Sequence, residues 1–228
     1  MAVEDLASGE GRTAFQQELL QLKATLRQLG ECGARMLEDA MKALVNQDYD
    51  LAEDVRKRDN QADALDRRVD DDTMSLLALQ APVAGDLRTV LGAARMATDL
   101  ERVADYAKDV AKVARKLHRE KYYWPLEDIP AMAMCCTKMT RLVLDALDDE
   151  DPEAAIQVAR MDHDVDARWK LLRDQLVEHM ESDPRHVRQA ARLLLVARYL
   201  ERVGDHLVNV AERVHHIATG EFRSLDDA

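Results

Sequence analysis

A chain of 228 residues, 47% of them hydrophobic, is long enough to bury the core of one large domain or two small ones. Aromatics are only 4%, charged residues reach 33%, and Gly (8) and Pro (5) are scarce, which excludes a sandwich or barrel and leaves long helices. The net charge of −12 excludes the basic footprint of a nucleic-acid binder or of a protein drawn to anionic lipid, and makes cations and basic protein surfaces the natural partners.

The opening stretch MAVEDLASGEGRT has neither the basic nor the apolar region of a signal peptide. No apolar run approaches the ~18–20 residues that cross a bilayer. A soluble, cytoplasmic protein without membrane insertion is expected. Leu22, Leu26, Leu29, Leu37, Met41 and Leu44 line one face of a first helix, roughly 12–46. Leu51, Val55, Ala62, Leu65, Val69 and Leu76 line a second, roughly 50–79. A third starts near Pro82, suited to a first-turn position, and carries Leu87, Val90, Ala97, Leu100, Val103, Ala107, Val110 and Leu117. The period is lost at KYYWPLEDIP, 121–130, whose two prolines and three aromatics mark a linker or hinge. A fourth helix follows over 131–148. Asp151-Pro152 opens a fifth, to about 181, and Asp183-Pro184 opens a sixth that ends near Gly220. The spacing predicts an all-α fold.

The two halves of the chain match each other. LERVADYAKDVA at 100–111 and LERVGDHLVNVA at 200–211 share seven of twelve residues, and 87–117 aligns with 187–217 without a gap. VRKRDNQADA (55–64) aligns with VARMDHDVDA (158–167) at an offset of 103. Such self-similarity marks a duplicated unit. Two tandem three-helix bundles packed side by side are expected, one over 1–120, the other over 131–228, joined by 121–130.

The register shared by the halves selects a small set of acids. Asp59 and Asp63 on the second helix stand with Glu101 and Asp105 on the third. Asp162 and Asp166 on the fifth helix stand with Glu201 and Asp205 on the sixth. Acids four apart on a helix repel by roughly 0.2–0.5 kcal/mol per pair. Antiparallel neighbours bring two such pairs together, so each half is expected to carry a patch of four carboxylates. With no Cys or His required, that chemistry suits hard cations such as Mg²⁺, Ca²⁺, Mn²⁺ or oxidised iron better than zinc. Asp109 extends the first ladder. Its counterpart Asn209 keeps an oxygen but drops the charge, so the second patch is expected to bind cations more weakly, with His206 able to join it. In a chain with 44 acids most such spacings are solvated faces, and Asp66, Asp70, Asp71 and Asp72 are read that way. Arg102 and Arg202, beside the shared glutamates, are either partner-docking residues or salt-bridge partners of an adjacent helix.

Cys32, Cys135 and Cys136 form no CxxC and are read as unpaired thiols of a reducing compartment. Met36, Met41, Met132, Met134 and Met139 are expected to fill the core. No catalytic constellation emerges. Phosphate loops, GxSxG and HExxH are absent, and Glu212-x-x-His215 has no counterpart in the first half, so a symmetric di-iron centre is not supported.

The repeated LERV[A/G]D ladders, paired with RDNQAD and MDHDVD, resemble the PhoU family from about residue 15 to Phe222. The stretch LERVGDHLVNVAERVHHIATGE is the most specific part. The resemblance implies metal clusters held on the surface by the E/D-x-x-x-D motifs and a regulator rather than an enzyme. Such a regulator restrains phosphate uptake and the phosphate-starvation response by connecting the phosphate ABC transporter (PstSCAB) with the sensor histidine kinase PhoR, often as a homodimer. Two alternatives stand beside it. One is an accessory subunit of a low-affinity phosphate permease, and the other a metalloenzyme with carboxylate-bound iron or manganese.

Overall fold

The computed structural model describes residues 9–225, with side chains from Arg12 onward. The first eight residues, part of the stretch read above as lacking a leader, and the last three lie outside the described residues. The chain forms α1 (Gly9–Asn46), α2 (Tyr49–Gln80), α3 (Ala84–Leu117), α4 (Asp128–Asp149), α5 (Pro152–Ser182) and α6 (Val187–Thr219), the last entered through a 3₁₀ turn at Pro184–His186. No strand occurs among the described residues, and no helix is long and apolar enough to cross a membrane.

The duplication extends to the turns. Gln47 (φ 56°) and Glu150 (φ 52°) take the left-handed conformation one residue before an aspartate. Asp48 accepts from the Leu51 amide at 2.9 Å, and Asp151 accepts from the Glu153 and Ala154 amides at 2.9 and 3.2 Å. Each aspartate satisfies first-turn N–H groups that have no partner within the helix. Gly220 ends α6 at φ 78°, its N–H on the His216 carbonyl, as the sequence predicts. Two boundaries differ from expectation. Pro82 lies two residues before α3, with Val83 extended ahead of the first helical residue, because an extended passage is needed to reverse the chain after Ala81. Helix α4 begins at Asp128, so Pro130 sits in its first turn, where a missing N–H costs nothing.

Helices α1, α2 and α3 pack together, as do α4, α5 and α6. The two bundles lie side by side through α3 against α6 and α1 against α4. The predicted stripes face inward: Leu22, Leu29, Leu37, Val55, Val69, Leu100, Val103 and Ala107 are fully buried, as are Leu200, Val203 and Leu207 of the second copy. Along the seam between bundles, Tyr106 stacks on Tyr199 with centroids 5.8 Å apart. The related positions in the other direction hold His206 and Asp99, whose Nδ1 and Oδ1 are 2.8 Å apart. Of the methionines expected in the core, Met36, Met41, Met132 and Met139 are buried. Met134 is 57% exposed, on the outer face of α4, where it lines a groove against α1. The cysteines are free, with Cys32 and Cys136 buried.

The linker is fastened to both bundles. Tyr122 donates to the Leu44 carbonyl at 2.8 Å, and Gln47 donates to the carbonyls of Leu117 and Glu120 at 2.8 and 2.6 Å. From α6, Gln189 donates to the Lys121 carbonyl (3.1 Å) and accepts from the Tyr123 amide (3.2 Å). Tyr123 also stacks on His186, with centroids 3.7 Å apart. These contacts tie the segment down at both ends. Gln189→Ala should strand two backbone groups and cost about 1–3 kcal/mol. Urea unfolding would read the loss, and limited proteolysis should show new cleavage near 121–127.

Candidate functional site

Helices α2 and α3 pack together, and Asp59 and Asp105 face each other across a shared lysine. Glu101, half-buried, has its carboxyl pushed up to about 7 by burial and by the adjacent Asp105. Asp66 adds to that push. Its own carboxyl is raised by burial and by Asp70 and Asp63. The row carries its own counter-charge. Lys108 reaches between the helices, its Nζ 2.7 Å from Asp59 Oδ2 and 2.6 Å from Asp105 Oδ1. Burial lowers the lysine's affinity for its proton, but the two carboxylates raise it by more. Asp105 is likewise held below its ordinary value by Lys108 against the opposing effect of burial. Asp109 is taken by Lys112 at 2.7 Å.

The second copy, between α5 and α6, lacks this bridge, because the position matching Lys108 is the buried Val208. Asp162 is pushed up to about 7 by burial and by Asp166, Asp205 and Glu201. Its Oδ1 is buried without a hydrogen-bond partner, and so is Oε2 of Glu201. Glu201, only 8% exposed, has its other oxygen on Arg198, while burial and Asp205 raise its carboxyl. Gly204 makes the close approach possible: a Cβ there would lie 2.0 Å from Asp162 Oδ1. Its counterpart is Ala104, so the first copy cannot draw Asp59 in to the same depth. Lys170 lies 3.2 Å from Asp166, and Arg202 lies 3.1 Å from Asp205. Each of these cations comes from the same helix as its partner acid, and among the described residues none spans α5 and α6.

Among the described residues, the arginines beside the shared glutamates pair along their own helices. Arg102 bonds Asp105 at 2.9 Å and Arg202 bonds Asp205, each along its own helix and each about half exposed. His206 turns away from Asp205 to Asp99 of α3, so it does not join the second patch. Asn209 also donates to Asp99, at 3.2 Å. It nevertheless helps line a cavity of about 350 Å³ with Asp162, Asp205, Glu212 and Ser224. Among the described residues, no three His, Cys, Asp or Glu side chains are arranged to hold a metal ion. The acids gather in two rows without converging on one point. Lys108, Arg198 and the role of Gly204 were missed by spacing. The signal for the lysine was present, since Lys108 against Val208 is visible once the halves are aligned.

A model of the PhoU domain matches the chain twice, over residues 26–114 and 129–214. The chain belongs to the PhoU family. The match covers one three-helix bundle each time, so the family unit and the internal repeat are the same object. Full-length PhoU relatives are similar to this chain throughout. A protein of Clostridium acetobutylicum named phosphate-specific transport system accessory protein PhoU homolog is 33% identical over 95% of this chain and 99% of its own length. Its namesake in Zymomonas mobilis is 35% identical, covering 94% and 92%. The crystal structure of PhoU from Pseudomonas aeruginosa superposes with a TM-score of 0.88 at 32% identity, over 91% of this chain and all of that one. PhoU from Streptococcus pneumoniae, at 24% identity, shares the fold with a TM-score of 0.84.

The raised carboxyl of Asp162 has a consequence for stability. Folding a group whose pKa rises from ~4 to about 7 adds stability below the lower value that is lost as pH climbs through the upper one. Asp162→Asn removes the buried charge. In chelator-treated protein it should raise Tm by roughly 2–4 °C at pH 8, the shift for about 1 kcal/mol in a chain of this size, and by much less at pH 5. An equal shift at both would show that desolvation of Asp162 is not felt.

Proposed function

We propose that this PhoU-family protein is a cytoplasmic, metal-binding regulator of phosphate homeostasis that works by docking and not by catalysis. It restrains phosphate uptake and the phosphate-starvation genes by coupling the phosphate ABC transporter to the sensor histidine kinase. The observation that carries this reading is similarity over nearly the whole chain to proteins named as phosphate-specific transport system accessory proteins. The absence of a catalytic motif in the sequence agrees with it. Arg102 and Arg202, half exposed beside the acids, are proposed as docking residues, and a homodimer belongs to the same reading.

Of the two rows, the second is the better fit for a cation. Two buried carboxylate oxygens stand there without partners, and Gly204 leaves room for Asp162 against α6. Asp162, Asp166, Glu201 and Asp205 are the proposed ligands. A hard cation would supply positive charge between the Asp162/Asp166 and Glu201/Asp205 pairs, where the ion pairs of Asp166, Glu201 and Asp205 each stay within one helix. In the first row Lys108 already occupies that role between Asp59 and Asp105, so binding through Asp59, Asp63, Glu101, Asp105 and Asp109 requires the ammonium to leave. The order of affinity expected from Asp109 against Asn209 is thereby reversed.

Equilibrium dialysis with Mn²⁺ tests this part. Asp162→Asn with Glu201→Gln should weaken binding tenfold or more, whereas Lys108→Met should add a binding equivalent at the first row. Wild-type affinity in the double variant would remove the second site. For the regulatory reading, the gene is deleted and alkaline phosphatase is measured in phosphate-rich medium. Derepression is expected, and normal repression would contradict the proposal.

A further inference from the structure

One end of the seam between the bundles holds a group of cations that the acidic rows do not touch. Arg88 and Arg95 on α3 and Arg213 and His216 on α6 line a cavity of about 330 Å³ roofed by Phe222 of the C-terminal segment. In a chain of net charge −12, three arginines gathered in a cavity with no acid among its described lining residues are unexpected. None of them is ion-paired to a carboxylate among the described residues. Nε of Arg88, Nε of Arg213 and Nδ1 of His216 are all buried without hydrogen-bond partners. Arg213 lies under the ring of Phe222, its guanidinium carbon 4.7 Å from the centroid, and that ring is 58% exposed.

The duplication supplies an internal comparison. At the opposite end of the seam, Arg192 of α6 donates to Glu120 and to the Lys116 carbonyl, and the linker closes over them. One hundred residues earlier and later, the counterparts of Arg192 and Glu120 are Gly92 and Gly220. Both side chains that fill one end are therefore missing from the other. A Cβ on Gly92 would meet the movable end of Ile217, 2.9 Å from its Cδ1, and Gly220 sits at φ 78°, where any other residue is strained, with the Arg88 guanidinium in ordinary contact range at 3.7 Å. The cavity is thus built into the sequence.

We propose that this pocket binds an organic phosphate, with the phosphoryl group on Arg88, Arg95 and Arg213 and the rest of the ligand on Phe222, Leu91 and Ile217. Three guanidiniums call for a dianion, since a single carboxylate would leave two of them unmatched, and the arginine fork fits phosphoryl oxygens in pairs. The apolar floor and exposed ring ask for more than a bare oxyanion, and the volume falls within the range of roughly 300–1,000 Å³ of small-molecule sites. The proposal does not rest on the metal or regulatory reading.

Calorimetric titration of the full chain with AMP and with inorganic phosphate, at physiological salt, tests it. AMP should bind, and at least tenfold more tightly than phosphate. Arg88→Gln should weaken AMP tenfold or more, with Arg95→Gln, on an exposed side chain, acting in the same direction should the first variant unfold. Phe222→Ala should weaken AMP and leave phosphate unchanged, and Arg192→Gln at the closed end should change neither. No AMP binding at millimolar concentration, equal affinities for AMP and phosphate, or insensitivity to both arginine variants would each overturn the proposal. Binding that emerges only in Asp226→Asn/Asp227→Asn would assign the arginines to the chain's own terminal acids and overturn it as well.

Discussion

Like charges drawn into the groove between two antiparallel helices must be neutralised, and the rest of this molecule is arranged around how that is done. The apolar stripes of α2 against α3, and of α5 against α6, are largely buried, and their packing fixes where the acids stand. Burial of those stripes is the larger energy. Each fully buried Leu or Val contributes on the order of 1.5–3 kcal/mol, against a few tenths for a repelling acid pair on one helix. The fold can therefore hold the acids close in spite of their repulsion, and burial together with that repulsion pushes the carboxyls of Glu101 and Asp162 up to about 7.

The two copies answer the same constraint differently. In the first, Lys108 lies across the groove and the row is closed by the protein itself. In the second, Val208 leaves the groove without a bridge, and Gly204 lets Asp162 sink until one oxygen loses every partner. One duplicated frame thus carries a row neutralised by its own lysine and a row with no such bridge, the one proposed to take a cation from outside. The same divergence recurs at the ends of the seam, where Arg192 and Glu120 fill one end and two glycines open the other.

Much of this was legible in the sequence. Alignment of the halves recovered the duplicated helices, the two bundles and both pairs of acidic ladders, because helix periodicity and register are local properties of the chain. Helix ends were legible where a residue acts on its own backbone, as with Asp48, Asp151 and Gly220. Where a start depended on reversing the chain, as at Pro82, composition pointed two residues too early. What escaped was the content of the grooves. Spacing alone cannot tell that Lys108 reaches across to α2, or that Arg102 bonds Asp105 on its own helix. Each depends on which rotamer meets which helix at a given level. The difference between Ala104 and Gly204 looked neutral for helix formation, and its meaning emerged only when Asp162 was found against the bare Cα.

The central claim is that the second acidic row, and not the first, is completed by a cation. The most direct test is an anomalous difference map from crystals grown with Mn²⁺. A peak between α5 and α6, bounded by Asp162, Asp166, Glu201 and Asp205, with Lys108 still bridging Asp59 and Asp105, is the predicted result. A peak at the first row with Lys108 displaced, and none at the second, would contradict it.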